Sequence, residues 1–173
     1  MNISFIFCNP KQAWKQPGSW LIRKLDRSSA SHVAICVQLN HTKYIFESVS
    51  PKSRVIELSA WSKEYNIEYS FDFKVPELKR WAVLNYLENI IDKPYSYGQL
   101  ILIGLTNLFM PFQLLLRGAI LNHERALICT EVISLMVEKF MNYDIKKKHD
   151  QHGISDIDLM AIELAIQQNP WKE

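Results

Sequence analysis

The chain has 173 residues, 48% of them hydrophobic and 22% charged, which is enough apolar material for a sizeable core and too much for a disordered, collagenous or low-complexity chain. Lysine and arginine total 20 against 18 acids, a formal charge of +2 that is too mild to recruit nucleic acid, so no nucleic-acid partner is expected. None of the five glycines is spaced as a dinucleotide fingerprint or a phosphate loop, and the three cysteines, Cys8, Cys36 and Cys129, fit neither a disulfide framework nor a Cys-x-x-Cys metal site.

The first element is the apolar run Ile3 to Cys8, ended by Asn9-Pro10, which reads as a buried strand. The same N-terminus lacks a basic leader region and does not read as a secretion signal; with unpaired cysteines, a reducing, cytoplasmic setting is the expectation. Pro17-Gly18 marks a turn before Ser19, whose hydroxyl can cap a short helix carrying Trp20, Leu21 and Leu25 inward. Val33, Ile35 and Val37 mark a strand from His32 to Leu39, and an Asn40-His41-Thr42 turn leads into a second from Lys43 to Val49, forming a hairpin. Arg54 to Leu58 and Ile67 to Phe73 alternate as two more strands, with Trp61 on a short turn between them.

Strands then give way to helices. Pro76 and Glu77 suit a first helical turn, and Trp81, Leu84, Leu87, Ile90 and Ile91 recur at helical spacing until Lys93-Pro94 breaks the pattern. From Pro94 to Leu116 no formal charge occurs, and Pro111 divides this span into two expected helices, an apolar insertion at about 97–121. After a polar loop at Asn122 to Arg125, a further helix runs from Cys129 to Phe140 with Val132, Ile133, Met136, Val137 and Phe140 on one side. The basic run Lys146-Lys147-Lys148 reads as a solvated loop, as does the pair His149 and His152, which lacks a third metal ligand. Ser-Asp-Ile-Asp at Ser155 opens a closing helix that continues to about Gln167. Strands followed by helices imply one α+β domain over 1–173, an antiparallel sheet of four to six strands with helices packed on one side.

Three polar residues stand where chemistry competes with packing. Cys129 falls in the first turn of its helix, where unpaired backbone NH groups favour a thiolate. His32 opens the first hairpin strand, and Glu47 sits in the next within Tyr44-Ile45-Phe46-Glu47-Ser48, where a carboxylate is costly unless partnered. An imidazole on the adjacent strand is such a partner, and the set has the chemistry of nucleophile, base and orienting group. Cys8 and Cys36, within apolar strand patterns, read as core.

Ser31-His32-Val33-Ala34-Ile35, Phe46-Glu47-Ser48, Lys93-Pro94-Tyr95-Ser96-Tyr97 and Ile128-Cys129-Thr130-Glu131 resemble, in this order, the circularly permuted NlpC-type papain-like hydrolases, the YiiX-like and lecithin retinol acyltransferase-like branch. The resemblance spans Trp20 to Phe140, and Ser155-Asp156-Ile157-Asp158-Leu159 looks like that branch's closing helix. It implies a permuted papain-like fold with Cys129 as nucleophile, His32 as general base and Glu47 as orienting residue; Tyr95, Tyr97 and Trp20 are the residues expected to line the substrate, and neither metal nor cofactor is expected. Thr130 departs from the serine often found after the nucleophile, and Glu131 resembles the acidic residue common there, which answers the helix N-terminus.

The expected activity is cleavage of an amide, in a peptide of cell-wall type, through a Cys129 acyl-enzyme. One alternative is a lipid-directed thiol acyltransferase or esterase using the same site, with peripheral membrane contact through residues 100–121. Another is a membrane- or protein-binding module without turnover. Peptide and lipid-linked acyl groups are the substrate classes, and the sequence leaves the oligomeric state open.

Overall fold

The computed structural model describes residues 1–12, 29–97 and 129–141. Within them lie strands β1 (Asn2–Pro10), β2 (His32–Leu39), β3 (Thr42–Glu47) and β4 (Arg54–Glu57), a one-turn helix α1 (Leu58–Trp61), strand β5 (Tyr65–Lys74), a 3-10 turn (Glu77–Lys79), and helices α2 (Arg80–Ile90) and α3 (Cys129–Met141). The expected helix at Ser19 with Trp20, the apolar span beyond Tyr97, the polar loop at Asn122, the lysine run, His149, His152 and the closing helix at Ser155 fall outside the described residues.

The five strands form one antiparallel sheet in the order β4-β3-β2-β1-β5. The first strand in sequence is therefore interior to the sheet, paired on one side with β2 and on the other with β5. That position accounts for the apolar residues it carries on both faces. Ile3, Phe5 and Phe7 enter the core on the helical side while Ile6 and Cys8 enter the cluster on the other, so neither face of the strand can be polar.

The helical side is the larger core. Val33, Ile35 and Val37 of β2 meet Val83, Leu87 and Ile90 of α2 and Val132, Ile133, Met136, Val137 and Phe140 of α3. The two helices are tied to each other by the Tyr86 hydroxyl, which donates to the Val132 carbonyl at 2.7 Å, and Lys79 donates to the Phe140 carbonyl at 2.7 Å. The apolar stripe read on α3 is thus the buried one. On α2 the stripe is displaced: Trp81 is 80% exposed, and Val83 takes the inward position. At about 100° per residue, position 81 lies about 200° from Val83, on the solvent side of a helix whose inward line is set by 83, 87 and 90. Trp81→Ala should accordingly shift stability by no more than about 0.5 kcal/mol, whereas Leu87→Ala should cost about 2–5 kcal/mol, as thermal unfolding of the two variants would show.

The opposite face carries Ala34, Cys36 and Ile45 beneath Trp61 of α1 and Tyr65 at the start of β5. Two local features shape the sheet, the first at the end away from His32 and Glu47 and the second at the end where they lie. The hairpin between β2 and β3 closes from Leu39 to Thr42, with Asn40 at φ 55°, a left-handed conformation that asparagine tolerates. Between Phe7 and Cys8 the pairing of β1 with β5 slips, so that Phe7 opposes Tyr69 and Cys8 opposes Ile67. Glu68 is the residue left over by this bulge, and its Oε1 accepts from Asn9 Nδ2 at 2.9 Å.

Candidate active site

His32 and Glu47 are brought together by strand register. Ile35 opposes Phe46, and continuing that antiparallel count places Glu47 across from Ala34, two residues from His32 and on the same face. His32 Nε2 lies 2.8 Å from Glu47 Oε2, with the carboxylate 1% exposed and the histidine 7% exposed. A carboxylate only accepts, so Nε2 carries the proton and Nδ1 is the ring nitrogen left for a second partner. Cys129, on the helix α3 that packs against β2, is the other group whose side chain bears on the ring, by hydrogen bonding and by charge. The nucleophile, base and orienting residue expected from the sequence therefore meet at one ring.

Glu47 is enclosed by four donor contacts. Its Oε2 receives Trp61 Nε1 at 2.9 Å as well as His32, and its Oε1 receives Arg54 Nε at 2.8 Å, with Nη2 in ion-pair contact at 2.7 Å. Arg54 Nη2 also reaches Glu64 Oε2 at 2.7 Å. A slab of stacked rings backs the pair: Trp61 on Tyr65 at 4.8 Å between centroids, and Tyr65 on His32 at 5.3 Å. Helix α1 is a single turn, and its one buried residue is Trp61, so the turn serves to deliver that indole over β3.

These contacts set the protonation of the site. Burial alone would lower the affinity of His32 for a proton, but its hydrogen-bonding and electrostatic interactions with Cys129, followed by those with Glu47, raise it to about 10. Glu47 goes the other way: burial would raise it, and the His32 bond and charge, the Trp61 bond and the Arg54 charge hold it below the ordinary carboxylate range. The arrangement is that of an imidazolium beside an ionised carboxylate. Cys8, opposite His32 in the β1–β2 register, is pushed strongly up by burial and by the charges of Glu47, Cys129 and Glu68. Burial also raises Cys36, with Lys43 opposing in part. Both thiols are held in the neutral form, as expected of core cysteines.

No protein-family model matches this sequence, and no curated protein matches it.

Of the residues expected to line the substrate, Tyr95 lies in the field of the Cys129 sulfur; burial first, then the charge on Cys129, raises its phenol. The chain there is pinned to the start of β4: Asp92 N donates to Ser53 O, Ser53 N to Lys93 O, and Tyr95 N to Pro51 O at 2.9 Å. Tyr97 is 53% exposed, edge-on to Tyr95 and hydrogen-bonded to Ser50 Oγ, which places it on the rim. Trp20 lies outside the described residues. Among the described residues no group of three or more metal-ligating side chains is assembled, and no helix is long and apolar enough to cross a membrane.

Sequence reading missed Arg54, Trp61 and Tyr65. A signal was available for Arg54. A buried carboxylate on one strand of a hairpin requires donors from the next, and the only cation in the short run Arg54 to Leu58 is Arg54 itself, which pairs directly across from Glu47. Trp61 gave no such signal, because its indole reaches Glu47 only through the tilt of a one-turn helix.

Proposed function

We propose that this protein is a cysteine hydrolase of papain-like mechanism that cleaves an amide bond, in a peptide of cell-wall type, through a covalent intermediate on Cys129. The observation that supports it most directly is the His32 ring, hydrogen-bonded through Nε2 to the buried Glu47 and interacting with the Cys129 side chain. Sulfur attacks the scissile carbonyl carbon as a thiolate, and the electron pair of the carbonyl moves to its oxygen. Collapse of this tetrahedral species breaks the C–N bond while His32 gives its proton to the departing amine, leaving a thioester on Cys129 and a neutral imidazole. A water molecule then loses a proton to His32 and attacks the thioester; the acid is released and the thiolate–imidazolium pair returns. Glu47 stays ionised throughout and keeps the ring from turning. The general habit of the NlpC-type hydrolases that the sequence resembles supports the peptide substrate, and no step calls on a cofactor.

Cys129 and Cys36 are 7% and 5% exposed, so accessibility alone does not distinguish them. Iodoacetamide at pH 6.5 should nonetheless modify Cys129 and leave Cys8 and Cys36 untouched, because only Cys129 has an imidazole partner while the other two are raised by burial. His32→Ala should slow that modification by about tenfold or more. Purified protein incubated with peptidoglycan should release peptide fragments and leave acyl lipids intact, as read by mass spectrometry. Turnover of the lipids alone would instead identify a lipid-directed esterase or acyltransferase, and slow modification of all three thiols without turnover would identify a binding module.

A further inference from the structure

Arg54 is placed directly across from Glu47 in the β3–β4 ladder, on the short strand at the sheet edge. A cross-strand ion pair of this kind ordinarily does no more than hold an edge strand in register. The geometry here is more specific. Nε and Nη2 both converge on Oε1, at 2.8 and 2.7 Å, so Oε1 is fully occupied by one guanidinium. The other oxygen is thereby the only one presented to His32 and Trp61, at 2.8 and 2.9 Å. Arg54 is itself held from behind by Glu64, at 2.7 Å, which fixes the plane of the guanidinium.

We propose that Arg54 is a positioning residue of the thiol–imidazole site: by holding Glu47 Oε1 with its Nε–H bond and the close ion-pair contact of Nη2, it aims Oε2 at His32 and so fixes the ring that faces Cys129. The proposal rests on the cysteine-hydrolase reading for its consequence in catalysis. Lysine cannot replace this device fully, since an ammonium is a point charge without the planar fork that bonds Glu47 Oε1 through Nε and Glu64 Oε2 through Nη2.

Two effects of removing Arg54 have opposite signs at His32, and this makes the proposal testable. Loss of a nearby positive charge, with Glu47 unmoved, raises the proton affinity of the imidazole. Loss of aim at Glu47 removes a hydrogen-bonded anion from Nε2 and lowers it. The other titratable groups that bear on the pair are Cys8 on β1, Tyr65 and Glu68 on β5, Glu64 before it, Tyr95 and Cys129. None of them is altered by the substitution.

The experiment is a titration of the His32 ring by NMR, with iodoacetamide labelling of Cys129 run in parallel, on wild type, Arg54→Met, Arg54→Lys and, as a charge control, Lys43→Met. Wild-type His32 should titrate at about 10. In Arg54→Met the midpoint should fall by about one pH unit, a tenfold change in the protonation equilibrium, and labelling should slow. Arg54→Lys should recover part of both, and Lys43→Met should match wild type. An unchanged midpoint in folded Arg54→Met would reduce Arg54 to an edge-strand brace and overturn the proposal, as would a raised midpoint, which is the signature of charge without positioning. Should Arg54→Met not fold, Arg54→Lys decides alone: a midpoint identical to wild type overturns it. If wild-type Cys129 fails to label ahead of Cys8 and Cys36, the hydrolase reading fails, while the His32 titration still decides what Arg54 does.

Discussion

Cys129→Ala is expected to lower kcat/KM on the amide substrate by about 10⁴-fold or more, the loss that follows when the nucleophile of a covalent mechanism is removed and only binding remains. The reason lies in what the other residues of the site can supply. With the sulfur absent, His32 and Glu47 can still activate a water, but nothing receives the acyl group, so the one difficult step is no longer divided into two. Intact-mass analysis of wild-type protein quenched during turnover should show an adduct equal to the acyl half of the substrate, and the alanine variant should show none. Cys8→Ala and Cys36→Ala should retain both activity and adduct, since their thiols are buried and raised out of the reactive range. An adduct that persists in Cys129→Ala would sink the assignment of the nucleophile. Cys129→Ser is a weaker test, because a hydroxyl occupies the same place beside the imidazole and is simply harder to deprotonate.

The parts of this protein that could be read from its sequence are those governed by local pattern. Val33, Ile35 and Val37 alternate because one face of β2 is covered by helices, and the α3 residues 132, 133, 136, 137 and 140 recur because that helix presents one side to the same core. Pairing between distant strands is not a local property. The run Ile3 to Cys8 announces burial on both faces, yet nothing in it names β2 and β5 as its neighbours, so the insertion of the first strand between them had to come from the structure. Trp81 misled because an aromatic at nearly the right spacing was counted into a stripe that Val83 completes instead. Within the site, Glu47 was legible because an ionisable residue among Ile45, Phe46 and Tyr44 demands a partner, and His32 because the hairpin placed it near. Cys129 was legible only in combination with them, since its approach to His32 depends on how α3 packs on β2, a contact between residues far apart in the chain. Arg54 was legible in principle, as the one cation on the strand next to a buried carboxylate, whereas Trp61 was hidden because its contribution is one N–H aimed at one oxygen and composition carries no information on aim.

Glu47→Gln is the substitution from which the largest loss of stability is expected for the smallest change in shape. Each oxygen of the carboxylate accepts from donors only: Arg54 on Oε1, His32 and Trp61 on Oε2. An amide has one accepting and one donating end, so either flip sets an NH2 group against a buried donor, and the charge that Arg54 and the imidazolium were paired with is gone. Breaking a buried pair in this way costs about 3–5 kcal/mol, which for a chain of this size corresponds to a fall of roughly 6–20 °C in Tm. Glu47→Ala, which leaves the same donors empty, should cost a similar amount. The pH dependence follows from the direction of the Glu47 shift. Its carboxyl is held below the ordinary value of 4.5 in the folded protein, so its contribution is fully present above that value and is lost as pH falls and the folded carboxylate takes up a proton. Calorimetry of wild type and Glu47→Gln from pH 7 to pH 3 should therefore find the gap in Tm constant down to about 4.5 and narrowing below it. A glutamine variant as stable as wild type at neutral pH would mean that the donors around Glu47 find other partners, and with it would go the case that this carboxylate, rather than the apolar packing around it, holds the imidazole in place.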